Sequence, residues 1–171
     1  MAGLVAYLTS DVSASGYSSD MKTFQTLSEL VGLVGQEITV SDWVSITQEQ
    51  VNLFAQATGD HQWIHVDVEK AKTGPFGGPI AHGYLTLSLL PQFFQSSIKV
   101  VETRMGVNYG LNKVRFMAPV PVGSRLRARM KLLKAEAIDQ GGYQLTWEVA
   151  IEREGTSKPA CVAESMARYY P

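Results

Sequence analysis

Cysteine is nearly absent from the 171-residue chain: Cys161 stands alone, which excludes an intramolecular disulfide framework and fits a reducing, cytoplasmic setting. Neither sign of charge is in excess. At a net charge of -1 the chain has no general attraction for nucleic acid or for an anionic membrane surface, and neither is expected as a partner. No uninterrupted apolar run approaches the roughly 20 residues that span a bilayer. Missing too are the G-x-S-x-G element of serine hydrolases and the glycine-rich patterns that cradle phosphates or dinucleotides. The first twenty residues hold neither Lys nor Arg, a poor secretory signal. Residues 1–20 are expected to be a flexible extension, with Met21 as an alternative start. Residues 21–171 are expected to be a single domain, and a hydrophobic content of 45% suffices for one substantial core.

What is present falls into two halves with different periods. An amphipathic helix is expected around Thr26 to Val34, then a first strand over Glu37 to Trp43. Thr47 to Ala57 reads as a helix with Thr47 as N-cap, Gln50 three positions on, and an apolar stripe of Val51, Phe54 and Ala55; Gly59 ends it. The Gly/Pro cluster GPFGGPIAHG (Gly74 to Gly83) delivers the chain into YLTLSLLPQFF, apolar on nearly every face. Such a helix needs wrapping on all sides, and Pro91 kinks it or ends its first half. From Val107 the period becomes two, giving strands over Val107 to Ala118, Ser124 to Ala137, Tyr143 to Glu154 and Ala160 to Tyr169. A buried helix followed by a run of antiparallel strands is an α+β pattern, the sheet curled around a long central helix.

Arg125, Arg127, Arg129 and Lys131 alternate with Leu126, Ala128, Met130 and Leu132. Four cations on one face invite a phosphate-binding reading, but the next strand answers them. One register sets Lys131 opposite Glu148, Arg127 opposite Glu152 and Arg125 opposite Glu154, with Leu132 against Trp147 and Met130 against Val149. Cross-strand ion pairs on a solvated face are the preferred account.

The chemical signal lies in FAQATGDHQWIH, residues 54 to 65. Asp60 and His65 are five positions apart, the wrong spacing for one helical face, so a loop must bring them together. A carboxylate and an imidazole that converge beyond a helix end can hold a water and move its protons, as adding water to a polarised double bond, or removing it, requires. At the mouth of the buried helix, His82 precedes Gly83. Unpaired N–H groups there suit the developing negative charge of a carbonyl oxygen. The packing alternative makes Asp60 an Asx-turn residue and His82 a backbone cap. A metal site drawn from His61, His65, Asp60, Asp67 and His82 is not expected, because Gly59 and Trp63 argue against the regular helix that the His61/His65 spacing needs.

Taken together, TGDHQWIH, Asp67, Ala71 and GPFGGPIAHGYLTLSL resemble the MaoC-like dehydratases, the (R)-specific enoyl-CoA hydratase family, and the NodN-like branch of it in particular. The resemblance is strong over Ile38 to Phe116 and extends through NKVRFMAPVPVGSRLRA (Asn112 to Ala128). It implies a hot-dog fold, and reversible syn addition of water to a trans-2-enoyl-CoA in fatty acid metabolism. Asp60 and His65 match the catalytic pair, and Gly83 matches the backbone donor to the thioester oxygen. Gln62 and His82 are supporting candidates. No metal or organic cofactor is implied beyond the acyl-CoA substrate itself, and the implied assembly is a homodimer joined sheet edge to edge. The family pattern G-D-x-N-P-[hydrophobic]-H is altered here: Gln62 stands for Asn and Trp63 for Pro, changes of reach and bulk that bear on loop geometry and substrate size. A hot-dog acyl-CoA thioesterase is the nearest alternative activity. A non-catalytic acyl-thioester-binding protein is the alternative of a different class.

Overall fold

A computed structural model describes residues 6–7 and 21–171, so the expected flexible extension lies outside the described residues except for Ala6 and Tyr7. The elements in chain order begin with β1 (Ala6–Tyr7), β2 (Lys22–Phe24), α1 (Leu27–Val31), β3 (Glu37–Val40) and β4 (Val44–Ser45). The helices α2 (Gln48–Thr58), α3 (Trp63–Val66), α4 (Val68–Lys72), α5 (Gly83–Ser88) and α6 (Leu90–Ser97) come next. The rest is β5 (Ile98–Val100), β6 (Met105–Phe116), β7 (Arg125–Ala137), β8 (Tyr143–Arg153) and β9 (Cys161–Tyr170). The main sheet runs β1-β6-β9-β8-β7-β3, antiparallel throughout, with β4 also on β7. This is the expected hot-dog arrangement, an antiparallel sheet packed around α5 and α6.

The core explains the arrangement. Leu85, Leu89, Leu90 and Phe93 of the central helix meet the alternate residues Leu126, Ala128, Met130 and Leu132 of β7 and Leu145, Trp147, Val149 and Ile151 of β8. The central helix breaks at Leu89, with Pro91 in the first turn of its second half, because proline has no N–H to donate back into the first. It is not enclosed on its whole circumference. Tyr84, Ser88, Gln92 and Gln95 form an exposed stripe at three- and four-residue spacing, so the expectation of complete wrapping is corrected for the single chain.

The expected register of β7 on β8 is the observed one: Lys131 faces Glu148, Leu132 faces Trp147 and Met130 faces Val149. On the polar face Arg125 pairs with Glu154 at 3.0 Å, Arg127 with Glu152 at 2.8 Å and Arg129 with Glu37 at 2.7 Å. The arginines Arg125 and Arg127 also lie 5.8 and 4.6 Å from the centre of the Trp43 ring. The arginine stripe is thus answered within the chain.

Two features depart from the expected elements. The strand foreseen over Glu37 to Trp43 ends at Val40, and a separate β4 follows at Val44–Ser45; at Ser41 the backbone N–H still bonds the Ala128 carbonyl at 2.8 Å, but the side-chain hydroxyl accepts the Ala128 N–H at 2.9 Å. A small parallel pair, β2 with β5, was not foreseen; each strand has only three residues and shows no alternation to read.

Candidate active site

The helix α2 and the turn at its C-terminal end assemble the site. Thr47 accepts the Gln50 N–H at 3.2 Å and Gln50 accepts the Thr47 N–H at 2.9 Å, a reciprocal cap at the start of α2. At the other end Gly59 adopts φ 78°, a left-handed conformation open to glycine, and its N–H reaches the Ala55 carbonyl at 2.8 Å. The chain then turns. Asp60 Oδ1 meets the Gln62 N–H at 3.4 Å, so Gln62 is tied to the carboxylate by its backbone and not by the side-chain amide. The short helix α3 starts at Trp63 and turns His65 inward, while Gln48 donates to the His65 carbonyl at 2.8 Å.

The glycine-rich segment closes on this turn. The Ile80 N–H bonds the Ile64 carbonyl at 3.0 Å, and the Ala81 N–H bonds the Val120 carbonyl at 2.8 Å. His65 and His82 are therefore both buried, 6% and 2% exposed, with stacked rings 3.9 Å apart at 28°. Nitrogen or oxygen atoms of Asp60, His65 and His82 lie within 4.8 Å of one another, so the expected convergence of Asp60 and His65 is present.

The hydrogen bonds assign the ring protons. His65 Nδ1 lies 2.7 Å from the Ile80 carbonyl, which only accepts, so Nδ1 carries the hydrogen and Nε2 keeps a lone pair. His82 Nε2 lies 2.9 Å from the Asp60 backbone carbonyl and donates to it, leaving His82 Nδ1 buried without a partner. Burial pulls the His65 pKa below its ordinary 6.5; the hydrogen bond to Ile80 opposes this, the neighbouring His82 adds to it, and Asp60 opposes it. The ring is neutral at pH 7, the state a base needs.

Asp60, His65 and His82 are also the group that could hold a metal ion among the described residues. Stacking weakens that option. Imidazole lone pairs lie in the ring plane, and two rings stacked face to face direct them side by side, not toward one point. His61 is exposed, and Asp67 caps α4 by accepting the Lys70 N–H at 3.0 Å.

His65 and Gly83 line one pocket of about 360 Å³, whose walls are largely apolar: Phe76, Ile80, Phe116, Met117 and Val120, with Thr86 among them. Asp60 is exposed and stands beside this pocket, not in its wall. Gly83 opens α5 with no side-chain cap from His82, so the first N–H groups of that helix have no partner within it. A Cβ on Gly83 would fall 3.0 Å from the Phe116 ring, a tight contact that the ring would have to give way to. A wider cleft of about 490 Å³, lined by Met105, Ile138, Asp139, Gln140, Arg168 and Tyr170, holds no histidine.

Sequence reasoning missed the pocket walls contributed by Phe76, Phe116 and Met117. Phe76 sits within the Gly/Pro cluster as an aromatic with no core partner in the sequence pattern, the one local signal. Trp63 proves to lie outside the pocket wall. Its ring packs on Gly74, where a Cβ would come within 2.9 Å, and lies 4.9 Å beneath Lys70 Nζ.

The model of the MaoC-like domain matches residues 29–152. The chain belongs to the MaoC-like dehydratase family. It is 55% identical over 149 residues to 3-hydroxyacyl-thioester dehydratase Z of Mycobacterium tuberculosis, covering 87% of this chain and 99% of that protein. It is 45% identical over 140 residues to nodulation protein N of Rhizobium leguminosarum bv. viciae, covering 81% and 87%. Among solved structures, the unliganded (R)-hydratase PhaJ1 of Pseudomonas aeruginosa shares the fold at a TM-score of 0.62 and 24% identity, over 80% of this chain and 81% of that one. The expected hydro-lyase and the NodN-like resemblance both agree with these names. No helix among the described residues is long and apolar enough to cross a membrane.

Proposed function

We propose that this MaoC-like protein is a 3-hydroxyacyl-thioester dehydratase, catalysing reversible syn addition of water to a trans-2-enoyl thioester, with Asp60 and His65 as the catalytic pair. The observation that carries the reading is the His65 ring itself, neutral and pinned at Nδ1 by Ile80, with Nε2 left as the base at a pocket shared with Gly83. In the hydration direction His65 Nε2 takes a proton from water as its oxygen bonds to C3. Asp60 orients that water. The C2=C3 electrons move toward the thioester carbonyl, whose oxygen is held by the Gly83 N–H. The proton taken from water is then returned by the Asp60/His65 pair to C2 on the same face, which restores neutral His65 and leaves OH on C3 and H on C2. A positioned base contributes about 100- to 10,000-fold and one oxyanion donor about 3 kcal/mol. No metal or organic cofactor enters these steps.

The apolar pocket suits an acyl chain, and the name of the 55% identical relative supports the thioester class. A homodimer joined at the outer edge of β6 accompanies this reading. Among the described residues that edge is covered only at Gly106 and Val107, by β1, and β6 exposes Tyr109, Leu111 and Phe116. A reducing, cytoplasmic setting is proposed from the lone, buried thiol of Cys161.

The test is loss of enoyl-thioester absorbance when protein is mixed with crotonyl-CoA, beside Asp60→Asn and His65→Ala, with chiral analysis of product and a free-thiol assay. Wild type should give the (R)-3-hydroxyacyl product without thiol, and each variant should lose about 100- to 10,000-fold in turnover while staying folded. Near wild-type hydration by either variant would overturn the assignment of the pair. Thiol release would make the protein a thioesterase, and tight binding without turnover across chain lengths would make it a binding protein.

A further inference from the structure

Asp60 is weakly held by its own surroundings. It is exposed, it follows a left-handed glycine, and both of its local contacts are long: its N–H to Thr58 Oγ1 and its Oδ1 to the Gln62 N–H, each 3.4 Å. The strongest hold on it comes from far along the chain. His82, twenty-two residues on, donates Nε2–H to the Asp60 carbonyl at 2.9 Å. His82 is itself immobile: its carbonyl accepts the Thr86 N–H at 3.1 Å in α5, and its ring is held between His65 at 3.9 Å and Phe54 at 5.1 Å. His82 Nδ1 is buried without a partner, a condition that an apolar packing residue would avoid.

We propose that His82 is the positioning residue of the site: its Nε2–H anchors the Asp60 backbone while its ring face supports the His65 imidazole, so that one buried side chain sets carboxylate and base at a fixed separation. Its catalytic consequence rests on the dehydratase reading; its structural content does not. The bond to a carbonyl, which only accepts, requires a proton on His82 Nε2. His65 is fixed along its edge by Ile80 and across its face by His82, leaving Nε2 its free atom. Misplacing a reacting group by 1 Å costs on the order of 100-fold, which sets the scale of the effect.

Three substitutions separate this role from packing. The amide nitrogen of His82→Gln reaches the position of Nε2, whereas that of His82→Asn reaches only Nδ1; His82→Ala removes both. With crotonyl-CoA, His82→Ala and His82→Asn should lower kcat roughly 10- to 100-fold with KM within about twofold, and His82→Gln should recover to within a few-fold of wild type. Equal activity of the Gln and Asn variants, or a rise in KM with kcat unchanged, would overturn the proposal. If the Ala variant does not fold, the Gln and Asn pair decides.

A second readout does not depend on turnover. In 15N-resolved spectra of the wild type, His82 should carry a proton on Nε2, and the Asp60 carbonyl 13C resonance should move in His82→Asn but not in His82→Gln. An Nδ1–H tautomer, or an Asp60 carbonyl indifferent to both changes, would overturn the anchoring even if the wild type hydrates nothing. Absent hydration with these shifts as expected would instead count against the dehydratase reading.

Discussion

His65 is held at one nitrogen by a carbonyl fifteen residues on, and this decides both its tautomer and its response to pH. Burial lowers its pKa beneath 6.5, so the unfolded chain binds the proton first as pH falls. Stability should therefore be unaffected by this group above pH 6.5 and decline between 6.5 and the lower folded value. The same titration should place the acid limb of kcat/KM below 6.5. Following the His65 Cε1 proton by NMR from pH 8 to 4, beside the unfolding midpoint of wild type and His65→Gln, checks both; a midpoint at or above 6.5 would contradict the assigned environment. At this scale the candidates were legible: Asp60, His65 and Gly83 stand in local motifs, and the structure brings His65 and Gly83 to one pocket with Asp60 beside it. The choice of ring nitrogen was not legible, because Ile80 makes it through a fold that spacing alone does not describe.

Among elements, α2 was the most readable, since its beginning and end are written in residues that act locally: Thr47 with Gln50, and Gly59. Removing the cap hydroxyl with Thr47→Ala should cost about 1 kcal/mol, seen as a lower denaturant midpoint at unchanged slope, with turnover retained. A loss of turnover without loss of stability would show that the start of α2 reaches the site. The register of β7 on β8 was legible for a different reason. Charges and apolar residues alternate on both strands, and the observed register is a permitted one that sets cations against carboxylates on one face and apolar residues together on the other. The end of β3 at Val40, where the Ser41 hydroxyl becomes the acceptor for the Ala128 N–H, and the register shift between Leu132 and Lys134 were not, because alternation assumes an unbroken ladder of backbone bonds.

For the molecule as a whole, β6 beyond its two-residue pairing with β1 is an open flank of the main sheet among the described residues, and Phe116 at its end lines the pocket beside Gly83. Placing a cation there with Leu111→Lys should weaken pairing between copies. Sedimentation equilibrium should give twice the 18.7 kDa chain mass for wild type and a concentration-dependent lower value for the variant. A monomeric wild type would remove the homodimer from the reading. The antiparallel architecture followed from periodicity, whereas the exposed stripe on the central helix did not. A sequence apolar on nearly every face carries no sign of which narrow face the chain itself leaves open.

Trp63 resting on Gly74 has a consequence for how this loop can change over time. While the tryptophan stands, any side chain at 74 enters space the indole occupies, so a substitution of the glycine forces the indole to shift. Replace Trp63 by a smaller residue first and position 74 is released. The two positions are therefore coupled, and a change at Gly74 is easier to accommodate once Trp63 has become smaller.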